Sequence, residues 1–90
     1  MKFNYLATYL GVAVFISACG ETVTPQEHIA KAKSAIEKNE LSISEIELKN
    51  ALKIDAENPE ARFLLGQLYL SQGNGLAAVK ELGRANTLNY

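Results

Sequence analysis

The feature that most constrains this chain is a spacing. Pro25 and Pro59 lie 34 residues apart, and so do Glu47 and Glu81, Leu48 and Leu82, and Ala51 and Ala85. Proline suits the first position of a helix, where its missing N–H has no intrahelical acceptor to lose. Each proline follows a residue able to cap a helix, Thr24 in one place and Asn58 in the other. A recurrent helix start with recurrent apolar and acidic positions implies two similar units rather than one irregular bundle. With 90 residues, the chain has room for one small domain and no second one.

Within each unit the apolar period is helical. Thr24-Pro25-Gln26-Glu27 reads as a capping box, and Ile29, Ala32 and Ile36 then share one face. Asn39 and Glu40 mark a break, after which Ser42 to Glu45 offers a second cap, with Leu41 as the other candidate start. Ile46, Leu48, Ala51, Leu52 and Ile54 supply a broad apolar face for the second helix. Asn58-Pro59 opens a third, the most apolar, through Phe63, Leu64, Leu65, Leu68 and Tyr69. Gly73 ends it, Asn74-Gly75 is expected to turn the chain, and Leu76, Val79, Leu82 and Ala85 line a last helix that frays toward Tyr90. Gly83 interrupts that helix, at a cost of up to about 1 kcal/mol relative to alanine. The expected fold is all-α: two antiparallel helix pairs.

The first twenty residues differ in kind. Lys2 is the only charge before Glu21, and Leu6 to Ile16 (LATYLGVAVFI) is almost entirely apolar. That run is short of the roughly 20 residues a spanning helix needs and matches the core of a signal peptide. It leads to the only cysteine, Cys19. Ile16-Ser17-Ala18-Cys19 resembles the bacterial lipoprotein box. The resemblance implies cleavage before Cys19, a diacylglycerol on its thiol and an acyl group on its new amino terminus. Small residues at Ser17 and Ala18 let an extended segment enter a protease cleft, and a thiolate is the natural alkylation nucleophile. Two or more acyl chains suffice for stable anchoring. Residues 1–18 are therefore expected to be a lipoprotein signal peptide, and 19–24 the lipidated cysteine with a short linker. The expected location is the cell envelope, facing the periplasm, with Gly20 after the cysteine favouring the outer membrane.

A 34-residue helix–turn–helix period is that of the tetratricopeptide (TPR) repeat. In the second unit Leu65, Gly66, Tyr69, Ala78, Leu82 and Ala85 stand on the positions of that family's signature. The resemblance implies close approach of the two helices at the glycine and alanines, with Leu65, Tyr69 and Leu82 filling the space between them. The first unit departs from the pattern. Lys31, Ala32 and Ala35 occupy its large, glycine and aromatic positions, and Ser44 replaces an alanine, while Leu48 and Ala51 are kept. Ala56 and Tyr90 stand where the family has proline. Residues 25–58 thus read as a degenerate repeat and 59–90 as a repeat that is short at its C-terminus, a fragment of an α-α superhelix. The stretch ELKNALKIDAENPEARFLLGQLYLSQGNGLAAVKEL, residues 47–82, is also similar to the TPR lipoproteins of PEP-CTERM and exopolysaccharide systems (the PrsT family).

Chemistry is harder to find. The formal charge of -1 gives no basic field for nucleic acid. No nucleophile, base and orienting group form a set, and no metal-ligand spacing surrounds the one histidine, His28, which is expected to be an exposed polar residue. Gly73-Asn74-Gly75 lacks the lysine and hydroxyl residue of a phosphate loop. The expectation is no enzyme, no cofactor and no metal. What remains is an adaptor held at a membrane by its lipid and binding a protein or peptide partner, with Arg62 and Gln67 on the first helix of the better unit as candidate contacts. Two repeats are fewer than the three usually needed for autonomous stability. The chain is therefore expected to be marginal alone, or to self-associate or pack on a partner through its C-terminal helix pair. Alternatives are a truncated fragment of a longer TPR lipoprotein, or a small structural lipoprotein without a specific ligand.

Overall fold

A computed structural model describes residues 22–90. The signal segment, Ile16, Ser17, Ala18 and Cys19 lie outside the described residues. Four helices follow in order: α1 (Pro25–Glu37), α2 (Leu41–Ile54), α3 (Pro59–Ser71) and α4 (Gly75–Thr87). α1 packs on α2 and α3 on α4, while α2 meets α3 to join the two pairs. Among the described residues the architecture is all-helical, as two antiparallel pairs. None of these helices is long and apolar enough to cross a membrane.

The helix ends follow from local chemistry. Thr24 Oγ1 accepts from the Glu27 N–H at 3.2 Å, and Glu27 Oε1 accepts from the Thr24 N–H at 2.9 Å, completing the capping box. Asn58 caps α3 by accepting from the Ala61 N–H at 3.0 Å. α1 and α3 terminate alike. Asn39 (φ 61°) and Gly73 (φ 79°) take the left-handed conformation. Behind them the Glu40 N–H reaches Ala35 O (2.8 Å) and the Asn74 N–H reaches Tyr69 O (2.9 Å). These are Schellman ends, which satisfy the last carbonyls of each helix.

Two sequence-based boundaries differ. α2 starts at Leu41 without a side-chain cap, and Ser44 instead turns its hydroxyl to Leu41 O at 2.8 Å. Ser44 is fully buried, so its hydroxyl needs that internal acceptor more than the helix needs a cap. Gly75 is the first residue of α4 rather than part of a turn, because Asn74 already caps the helix by accepting from the Ala77 N–H. α4 also runs through Gly83 to Thr87.

The core lies at the junction of the pairs. Ile29 and Ala32 of α1, Leu48 and Ala51 of α2, and Ala61, Leu65 and Leu68 of α3 form one buried cluster, flanked by Leu41, Leu52, Leu64 and Tyr69. Leu65 therefore fills space against the preceding pair as well as its own. Gly66 sets the approach of α3 to α4. A Cβ there would sit 2.7 Å from Leu82 Cγ and Cδ2 and 3.2 Å from the Leu82 backbone nitrogen. Only glycine leaves that space free. Ala78 and Ala85 are buried on the same side of α4.

Several apolar residues expected in the core are not there. In α2 only Leu48 and Ala51 of the anticipated face are buried, with Ile46 and Ile54 more than half exposed. In α4 the buried side is Ala78, Glu81 and Ala85, which leaves Leu76 and Val79 outside. A helix with one covering neighbour can bury only one arc of its surface, and small residues at the contact win that arc here.

Candidate interaction surfaces

Each pair carries a polar cross-brace at the same place. In the first, His28 Nδ1 of α1 lies 2.6 Å from Glu47 Oε1 of α2. In the second, Arg62 Nη1 of α3 donates to Glu81 Oε1 of α4 at 2.7 Å. His28 and Arg62 are 34 residues apart, as Glu47 and Glu81 are, so the two braces are copies of one contact. His28 is thus half-buried and paired rather than an exposed polar residue. Glu81 is buried at 6% exposure, which its charge tolerates because Arg62 meets it there.

Arg62 makes two further bonds. Its Nε and Nη2 donate to the Ala56 carbonyl at 3.2 and 3.1 Å, tying α3 to the turn before it. Three of its donor hydrogens are therefore used inside the chain. Gln67, the other candidate contact, is exposed. It lines a groove of about 200 Å³ with Ile36, Leu41, Leu64, Leu68 and Ser71. The structure does not bring the two candidates together: Arg62 lines a different cleft, of about 370 Å³, with Lys80, Arg84 and Thr87. Arg84 in turn pairs with Glu57.

A second polar group ties the pairs to each other. Tyr69 of α3 donates its hydroxyl to Glu45 Oε2 of α2 at 3.1 Å, and Lys49 Nζ approaches the same oxygen at 2.8 Å. The hydrogen bond from Lys49 holds the Glu45 carboxyl below the ordinary carboxylate range, helped by Tyr69 and opposed by burial. Burial, and then the Glu45 carboxylate, push the Tyr69 phenol up. Lys33 of α1 pairs with Glu60 of α3, and that bond raises the lysine. Tyr69 thus reaches across to the neighbouring pair as well as belonging to its own.

These contacts set up the comparison with known proteins. Residues 46–73 match the family model described as TPR repeat. The matched stretch begins in α2 and ends just after α3, so it covers the junction where Leu48, Ala51, Leu65 and Leu68 meet. The match supports a TPR-repeat protein, and with it a protein–protein interaction scaffold. No curated protein matches the chain. No solved structure matches it. Among the described residues, no three His, Cys, Asp or Glu side chains converge as a metal site would require.

The cross-braces were missed at the sequence level, although the signal was present. The same 34-residue offset that links Glu47 to Glu81 links His28 to Arg62, both able to carry positive charge. Two acid–base pairs at one repeat spacing are a structural pattern, not a catalytic one.

Proposed function

We propose that the chain is a lipid-anchored TPR adaptor that holds a protein or peptide partner at the cell envelope. The observation that carries the scaffold part is the TPR match over α2 and α3, in a fold whose helix pairs leave long faces open. Such pairs bind by shape and side chains rather than by chemistry. The lipid part rests on Ile16-Ser17-Ala18-Cys19 and the apolar run before it, features of sequence alone. Placement in the outer membrane, and a role in an exopolysaccharide or PEP-CTERM system, rest on resemblance. The candidate partner contact narrows to Gln67 and its groove, since the Arg62 guanidinium is committed to Ala56 and Glu81.

A second reading is favoured by α4. Leu76 is 89% and Val79 71% exposed, on the side away from α3. The equivalent positions of α2 are Ser42 and Glu45, and Glu45 faces α3. The α4 face therefore suits a further helix, supplied by a second copy or by more of a TPR array. Sedimentation of the purified protein separates these: mass that doubles with concentration and reverts in Val79→Asp supports self-association, and a constant monomer mass rejects it.

Mass spectrometry of protein isolated from membranes tests the anchored reading. The expected result is a mature N-terminus at Cys19 bearing diacylglycerol and an N-acyl group. An intact Met1 terminus with a free thiol would overturn it.

A further inference from the structure

α2 carries an apolar stripe that the fold does not use. Ile43, Ile46 and Ile54 are 49%, 57% and 52% exposed. Their spacing places them on one side of the helix, opposite the buried Leu48 and Ala51. Lys49 and Lys53, both exposed, lie along one edge of the stripe. The acidic residue beside Ile54 is Asp55, whose Oδ1 accepts from the Glu57 N–H. Glu45 and Glu47 are occupied by Lys49 and His28. The exposed rim of the stripe is therefore basic.

The stripe belongs to the first pair alone. At the corresponding positions 34 residues on stand Ala77, Lys80 and Leu88. The antiparallel register, fixed by His28 against Glu47, puts Ile54 past the Pro25 end of α1. That is the end from which the chain leads back through Thr24 toward Cys19. Five residue steps separate Thr24 from Cys19, a reach of at most about 18 Å.

We propose that this α2 stripe docks on an anionic phospholipid surface, with its isoleucines at the boundary of headgroups and acyl chains and its lysines among the headgroups. The proposal rests on the lipid-anchored reading, which places α2 beside a bilayer. Exposed apolar residues with snorkelling lysines are the side chains an interfacial helix uses. The contact is weak for a free protein, but a short tether makes it intramolecular and raises its effective concentration to the millimolar range. The first pair would then lie along the membrane while the Gln67 groove and α4 are displayed to a partner.

The chain contains no tryptophan and one cysteine, which makes a clean test available. I46W and I54W place a single reporter in the stripe, and Q67W places one on the exposed side of α3. Each variant, isolated from membranes as the whole mature protein, is reconstituted into vesicles of phosphatidylethanolamine and phosphatidylglycerol with brominated acyl chains. The expected result is blue-shifted, quenched emission for I46W and I54W and water-like emission for Q67W. Equal behaviour of all three, whether water-like or quenched, overturns the docking. The N-terminal peptide mass of the same samples reports the anchor separately. Protein that lacks the lipid is coupled through the Cys19 thiol to a maleimide lipid and read in the same way, so docking is decided in either case.

Discussion

The first and second helix pairs solve the same problem with different residues. Both begin with a capped proline and end their first helix with a left-handed residue and a Schellman bond. Both bury a leucine and an alanine of the second helix against the first, at Leu48 and Ala51 and at Leu82 and Ala85. Yet Leu48 is fully buried and Leu82 only partly so, because α3 covers α2 whereas nothing described covers α4. The first pair has an internal neighbour and a polar outer helix, with Lys31 and Ser34 exposed where Leu65 and Leu68 are buried. The second leaves Leu76 and Val79 outside. In a repeat fold, position in the stack decides burial as much as residue type does.

That difference can be broken by mutation. Leu48→Ala is expected to cost about 2–5 kcal/mol, the range for emptying a closed core site. Leu82→Ala, at the half-open site, should cost clearly less; equal losses in urea denaturation would show that the pairs are packed alike. Gly66→Ala should cost about 1–3 kcal/mol by pushing its Cβ into Leu82. At the equivalent position Ala32 is tolerated, so Ala32→Gly should lose only about 1 kcal/mol of helix propensity and packing. Restoration of stability in the Gly66→Ala, Leu82→Ala double variant would locate the clash at that contact.

The caps make a finer comparison. Asn58→Ala is expected to cost about 1–2 kcal/mol and Thr24→Ala nearer 0.5, within the range measured for such caps. Asn58 is buried between pairs and Thr24 sits exposed at the start of α1, so a larger loss at Thr24 would reverse the ranking.

The smallest effect is on acid stability. Glu45 titrates below its ordinary value, so the folded chain binds fewer protons there than the unfolded chain. Its contribution is complete above the unfolded value of about 4.3 and fades as pH falls through the lower folded value. Glu45→Gln should flatten the acid limb of a stability–pH curve without changing its slope near neutrality. An unchanged acid limb would mean that the Tyr69–Glu45–Lys49 group contributes nothing across the junction.

The helix starts at Pro25 and Pro59 were legible because capping and proline chemistry are local. The 34-residue offset was legible because repeats write it into the sequence. Burial along α2 was not, since Ile46 and Leu48 look alike until α3 is placed on one side of the helix. His28 and Arg62 failed for a related reason: their partners lie 19 residues away, on another helix. Reading Arg62 as a partner contact overlooked that a carboxylate one helix away, and the Ala56 carbonyl behind it, could claim its donors first.

The account's central claim is that the two pairs are copies of one braced unit, and double-mutant cycles test it most directly. Coupling energies for His28 with Glu47 and for Arg62 with Glu81 are both expected to be measurable, about 0.5–3 kcal/mol, with the Arg62 pair the larger. His28→Arg should raise the coupling to Glu47 toward that of the second pair. Zero coupling in either pair, or a His28→Arg chain whose arginine ignores Glu47, would contradict the claim.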